Sequence, residues 1–262
     1  MNLHKLDPRY LILTFLVSFM IAGQLFLGFF QKWDAFSASV LTATLTELAL
    51  SRWIFKEWHF PLSALISGIG IGLLLSSHLV WPYALAAFLA IVCKFVIRIG
   101  GSHVFNPNNI AIVTLLYFLP QYAVSTPKQW TNGFGIMLFI LVLGMVAAYA
   151  ARRLDTVLAF IAGYVLLASI RHWVFGEPFY YSFGPMLGAS FQLFTFFMIT
   201  DPKTTPPTRK IRIIAALLIA FVDSVLRLNA ITNSLFYASF WVMLCYGLPY
   251  RLYRTKQHAR RL

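Results

Sequence analysis

The run from Tyr10 to Phe30 contains no charged residue, and comparable apolar runs recur along the chain, each closed by a short polar or basic stretch. Residues this apolar must be buried in protein or lipid. In lipid, a helix of about 17–25 residues crosses the bilayer while satisfying its own backbone groups. On that basis the expected spans are 10–30, 36–55, 61–79, 82–100, 109–125, 133–151, 156–174, 182–200, 211–227 and 231–250. The expected fold is all-α and polytopic, with about ten transmembrane helices, some of them broken. Only 11% of the 262 residues are charged, far below the roughly 25% of soluble domains. The first run exceeds the ~7–15 residue core of a secretory signal, and no small-residue cleavage site follows it, so a retained first span is expected.

The basic residues supply an independent test of this topology, because Lys and Arg concentrate in cytoplasmic connections. Of 21 basic residues, all but Lys32, Lys128, Arg171 and Arg227 fall on the side of the amino terminus. That alternation predicts ten spans with both termini cytoplasmic. It also accounts for the formal charge of +13 without nucleic acid, for which the chain offers no soluble basic domain. No linker or shift of composition divides residues 1–262, so a single membrane domain in contact with lipid is expected. Cys93 and Cys245 sit in apolar runs, with neither a disulfide frame nor a metal-ligand cluster around them.

Two polar stretches break the pattern, Phe105-Asn106-Pro107-Asn108-Asn109 and Thr200-Asp201-Pro202-Lys203-Thr204-Thr205-Pro206-Pro207-Thr208. Both face the cytoplasm in the predicted topology, and each is expected to open a new span. In lipid such breaks are tolerated where the freed backbone is buried in protein or lines a cavity. The asparagines read either as a helix cap or as amides that meet the edge of a polar, planar ligand. Asp201 can cap a helix or its own turn, while Thr204, Thr205 and Thr208 beside Lys203, Arg209 and Lys210 read as an anion site or as an ordinary basic loop. The shared pairs Asn106-Pro107 and Asp201-Pro202 are compatible with an internal duplication.

Elsewhere, Gly68, Gly70 and Gly72 form a smooth helix face suited to packing, and Gly184-Pro185 interrupts span eight. Glu47 and Asp223 lie inside spans, Asp223 with Arg227 one turn away as its expected partner. Lys94 is expected to snorkel to a helix end. His78 and His172 could in principle clasp a haem, but interface hydrogen bonding is the simpler reading. Phe105, Phe196 and Phe197 are placed to flank a ring.

The run from Gly184 to Ala189, continuing from Phe196 through Asp201 to Thr208 and on to Ile211-Arg212-Ile213-Ile214, resembles the carboxy-terminal signature of one family, the membrane flavin subunits of the sodium-pumping NADH:quinone oxidoreductase and of the Rnf complex. Phe105-Asn106-Pro107 resembles that family's other marker, and the likeness covers roughly residues 80–230. It implies a multi-pass protein of the bacterial inner membrane that passes electrons through flavins. The family's covalent FMN attachment motif, roughly Asp-Gly-x-Ser-x-Ala-Thr, is missing from the corresponding loop, Pro120 to Gly133, which holds Ser125, Thr126 and Thr131 in another arrangement. Covalent FMN is therefore not expected. The resemblance implies instead a noncovalent riboflavin or FMN near the cytoplasmic face, with Phe105, Asn106, Asn109, Thr200, Asp201, Lys203 and Thr204 as its site. The chain is similar to stand-alone members of that superfamily found beside biosynthetic genes such as those for enediynes.

No Gly-rich dinucleotide fingerprint and no iron–sulfur cysteine set is present. Electrons would have to arrive from a separate donor protein. The rival readings are a small-solute transporter or channel built around Glu47 and Asp223, and a cofactor-free membrane scaffold.

Overall fold

The computed structural model describes residues 8–25, 33–58, 60–125, 134–201 and 203–259. Helices occupy the predicted apolar runs, and one more runs past the last of them into the basic tail. They are α1 (Pro8–Leu25), α2 (Trp33–Phe55), α3 (Leu62–Leu74), α4 (Trp81–Val96), α5 (Pro107–Phe118), α6 (Phe134–Ala150), α7 (Leu154–Phe175), α8 (Phe179–Phe183), α9 (Ala189–Leu193), α10 (Arg209–Leu228), α11 (Ser234–Val242) and α12 (Leu248–Ala259). Among the described residues, α7 is the one helix of 18 residues or more that is apolar enough to cross a membrane by length and composition.

Several helices stop short of the predicted limits, for local reasons. The stretches 61–79 and 109–125 were expected to be continuous helix. Instead α3 runs into β1 (Leu75–Ser76), and the chain beyond α5 reaches β4 (Val124–Ser125). These two strands pair antiparallel, Leu75 opposite Ser125 and Ser76 opposite Val124. Similarly α4 ends before β2 (Arg98–Ile99), which turns through Gly100 and Gly101 into β3 (Ser102–His103). Both turn glycines have positive φ, 57° and 77°, a conformation that L side chains resist in tight hairpins.

Span eight is the most interrupted. Pro185, with no backbone N–H to donate, lies in a 3-10 turn over Gly184–Leu187 that separates α8 from α9. A π turn over Phe194–Met198 then carries the chain into the second polar break. The corresponding turn in the last span, Met243–Gly247, joins α11 to α12. Asp201-Pro202 does not open a helix as expected. Pro202 lies outside the described residues, and α10 begins at Arg209, after Pro206 and Pro207.

Helix α10 packs against α7, and α2 against α3 and α4. One apolar core joins α1, α3, α5, α7, α9, α10 and α11; a second fills the space among α2, α3, α4 and α5. The glycine face of α3 divides its work. A Cβ at Gly68 would stand 2.7 Å from the Val40 Cα, and one at Gly72 would collide with the Phe36 ring, so both exist for close approach to α2. Gly70 faces the Asn108 side chain instead.

Buried charges are paired. Asp223, fully buried, accepts from Arg227 Nε at 2.7 Å and from Ser234 Oγ at 2.7 Å, the partnership expected one helical turn apart. Arg171 is also fully buried, although it was expected to belong to an outer connection. Its guanidinium donates to Glu177 (2.8 Å), Ser224 (3.0 Å) and the Ser182 carbonyl (3.2 Å), and with Arg227 it flanks the Tyr164 ring. Nearby, His172 Nδ1 is engaged by the Glu177 carbonyl at 2.8 Å.

Candidate functional site

The amino end of α5 is fixed by its own first residues. Asn106 is extended, Pro107 presets the first helical φ, and the Asn106 Oδ1 accepts from the backbone N–H groups of Asn108 (3.0 Å) and Asn109 (3.2 Å). The same side chain then uses its other end. Its Nδ2 donates to the Met198 carbonyl at 3.3 Å, in the π turn that leads into the second break. The two polar breaks, 92 residues apart in sequence, are thus joined by one amide. Cap and cross-link coexist.

The second break is a self-bonded turn. The Lys203 backbone N–H donates to Asp201 Oδ1 (3.0 Å), the Thr204 hydroxyl to Asp201 Oδ2 (3.1 Å), and the Thr205 hydroxyl to the carbonyls of Ile199 (2.8 Å) and Asp201 (2.7 Å). From α12, Arg251 donates to the carbonyls of Lys203 and Thr204, clamping the turn from outside. Burial raises the Asp201 carboxyl above its ordinary range, against the pull of those hydrogen bonds.

Between the breaks lies a cavity of about 580 Å³, well within the ~300–1,000 Å³ usual for small-molecule sites. Ile12 and Leu16 of α1, Ile66 of α3, and Leu193, Phe197 and Met198 give it an apolar wall. Asn106, Asn108, Ser63, Ser67 and Thr200 present polar groups to it, and Arg9, Lys94, Arg152, Lys203, Asp201 and His103 add charge and an imidazole. Asn108 is held over Gly70, where a Cβ would come within 2.6 Å of its Nδ2. Its Oδ1, like that of Asn109, is buried and has no partner among the described residues.

Of the expected site residues, Asn106, Thr200, Asp201 and Lys203 line this cavity. Phe105, Asn109 and Thr204 do not. Phe105 is stacked on Phe240 of α11 at 5.4 Å. Asn109, 1% exposed, is turned away by the helical rotation that aims Asn108 inward. Thr204 is spent on Asp201 and the Arg251 clamp. Phe197 lines the cavity as the aromatic reading anticipated, whereas Phe196 packs over Gly144. In the loop from Pro120 to Gly133, 126–133 lies outside the described residues, including Thr126 and Thr131. Ser125 pairs in β4 and donates its N–H to Asn233 Oδ1 at 3.3 Å.

Lys94 does not snorkel as expected. Its ammonium bonds Glu47 at 2.5 Å and also meets the Ser63 hydroxyl, forming a buried cluster between the main cavity and a smaller one of about 180 Å³. Both hollows also touch His103, which is 6% exposed. Burial, reinforced by Lys203, Lys94 and Arg98, holds this imidazole down at about 4, so it is neutral at physiological pH. Asn108, Lys94, His103 and Ser63 were not among the expected site residues. Asn108 did carry a signal, as one of the asparagines of the first polar break, and Gly70 in the spacing Gly68-x-Gly70-x-Gly72 lies beside it, while Ser63 carried none. No protein-family model matches the chain, and no curated protein matches it either.

Proposed function

We propose that the chain is a multi-pass protein of the bacterial inner membrane that holds a flavin, riboflavin or FMN, noncovalently in the cavity between its two polar breaks and passes electrons from a separate donor protein. The observation that supports this most directly is the joint lining of one 580 Å³ cavity by Asn106, Asn108, Thr200 and Asp201 together with apolar side chains. The ten apolar runs, with helices broken where a cavity forms, fit a membrane bundle with both termini cytoplasmic.

The residues fit the ring they would hold. An isoalloxazine has an edge of alternating carbonyls and one N–H, matched by a carboxamide that both donates and accepts. Asn108, which lines the cavity, meets that edge, and Asn106 fixes the distance between the breaks. Phe197, Ile66 and Leu16 cover the apolar faces and exclude water. A bound flavin supplies one- and two-electron chemistry, and the surrounding polar groups set how readily it is reduced. Hydroxyl-bearing Ser63 and the Lys94 ammonium stand close enough to the cavity to hold a proton beside the ring.

The test is purification of the full chain in detergent, followed by absorption spectroscopy and release of the pigment by denaturation. A flavin spectrum in near-stoichiometric yield is expected, lost in Asn108→Leu. Colourless protein that takes up neither riboflavin nor FMN would sink the proposal.

One observation favours a transport reading as the runner-up. The Glu47–Lys94 pair sits where two hollows meet, as a gating charge pair does. Solute flux in liposomes that vanishes in Glu47→Gln, in protein with no chromophore, would favour it.

A further inference from the structure

Away from the cavity between the breaks, a hollow of about 490 Å³ is walled by the second polar break, the β2–β3 hairpin and α12. Pro206 and Pro207 shape it without offering an N–H. Gly100 brings the hairpin up to α12, where a Cβ would stand 3.1 Å from the Thr255 hydroxyl oxygen. The charged side chains that line the hollow are Lys203, Arg251 and Arg254, with no carboxylate among its described lining.

The sequence offered Lys203, Arg209 and Lys210 as an anion site, and the structure regroups the cations. Arg209 and Arg212 turn to Asp155, at 3.5 and 2.5 Å. In their place α12 brings Arg251 and Arg254 to Lys203. Arg251 is fixed there, because its Nη2 donates to the carbonyls of Lys203 (2.9 Å) and Thr204 (2.5 Å). Its Nε and Nη1 have no hydrogen-bond partner among the described residues. Asp201 acts on both Lys203 and Arg251 from outside the lining, yet one carboxylate offsets at most one of three positive charges. The hollow is therefore cationic, and its ligand must be an anion.

Helix α12 points to the source of that anion. It leaves the last apolar run at Tyr250, and between Arg251 and Arg254 it carries Leu252 and Tyr253, 45% and 62% exposed. A helix that mixes exposed apolar and basic side chains beside a membrane span sits at the level of the lipid headgroups. We infer that the hollow binds a phosphate group, that of an anionic phospholipid, held by Arg254, Lys203 and the remaining N–H groups of Arg251. Guanidinium and ammonium groups bind phosphate oxygens through the strongest class of protein hydrogen bond. A zwitterionic headgroup brings its own cation and is repelled by the three already present. The inference rests on the membrane placement proposed above and is independent of the flavin.

The experiment follows lipid retained by the full chain in non-ionic detergent, by native mass spectrometry. Phosphatidylglycerol should be retained over phosphatidylcholine by roughly tenfold. Arg254→Met should cut that preference about fivefold, the worth of one basic side chain near an anionic surface, and Arg254→Lys should keep most of it. Phosphatidylcholine retained as in the parent shows Arg254→Met to be folded. Lys210→Met and Lys256→Met, which remove exposed cations outside the lining, should leave the preference unchanged. No preference between the two lipids, or an equal loss in all three Met variants, would overturn the site in favour of a diffuse attraction to a basic surface. Displacement of the lipid by inorganic phosphate, with the same dependence on Arg254, would support the phosphate site and overturn its assignment to lipid.

Discussion

Replacing Asn106 separates two jobs that one side chain performs. Its Oδ1 caps α5, and its Nδ2 ties that cap to the Met198 carbonyl. Loss of an Asn cap costs about 1 kcal/mol, and loss of an ordinary hydrogen bond between polar groups costs about 1 kcal/mol more. Asn106→Ala should therefore destabilise the chain by about 2 kcal/mol. Asn106→Asp keeps the cap, and its charge even favours the helix amino terminus, but it sets a carboxylate against a carbonyl that has lost its donor. That substitution should cost about 1–3 kcal/mol through the cross-link alone. The measurement is reversible unfolding of the detergent-solubilised chain, with flavin affinity measured in parallel. Both variants should bind flavin about tenfold more weakly, because each frees the π turn from α5. If Asn106→Asp were as stable as the parent and bound flavin as tightly, the joining of the two breaks through this amide would be refuted.

Other substitutions probe neighbouring features. Gly70→Ala would place a Cβ 2.6 Å from Asn108 Nδ2, so the carboxamide must swing off the cavity wall; flavin binding should weaken about tenfold, equivalent to roughly 1.4 kcal/mol, with little change in unfolding. Arg171→Met removes a fully buried cation and leaves the half-buried Glu177 carboxylate without its partner, which should cost about 3 kcal/mol in denaturation. Arg171→Lys should not restore it, because an ammonium cannot serve Glu177, Ser224 and the Ser182 carbonyl in the fork geometry of a guanidinium. His103 titrates near 4 in the folded chain and near 6.5 when unfolded, so the unfolded chain binds more protons between those values. Stability should be flat above pH 6.5 and fall by up to roughly 3 kcal/mol as pH drops towards 4. The slope should flatten in His103→Gln, and an unchanged slope would show that another group is responsible.

Sequence reasoning reached the features that rest on local chemistry. The apolar runs located the helices, the Asn-Pro dipeptide announced the α5 cap, and Asp223 found Arg227 because four residues bring two side chains together on a helix. What it could not reach depends on contacts between distant segments. Glu47 and Lys94 are 47 residues apart, and nothing in either neighbourhood reveals that α2 and α4 pack face to face. Arg171 was assigned to an outer connection by the count of basic residues, yet the turn at Gly176 folds Glu177 and Ser182 back over it. Within the site, Asn108 and Asn109 are indistinguishable by composition. A helical rotation of about 100° between neighbours decides which faces the cavity and which is packed away.

Helix α5 is a strut with both ends fastened. At one end Asn106 grips the π turn, and at the other the chain leaving the helix is stitched by β4 to the tip of α3 and by Asn233 to the start of α11. Twelve residues of helix form a stiff rod about 18 Å long. A ligand that meets the near end therefore meets a segment anchored twice, to the π turn on one side and to the tip of α3 and the start of α11 on the other.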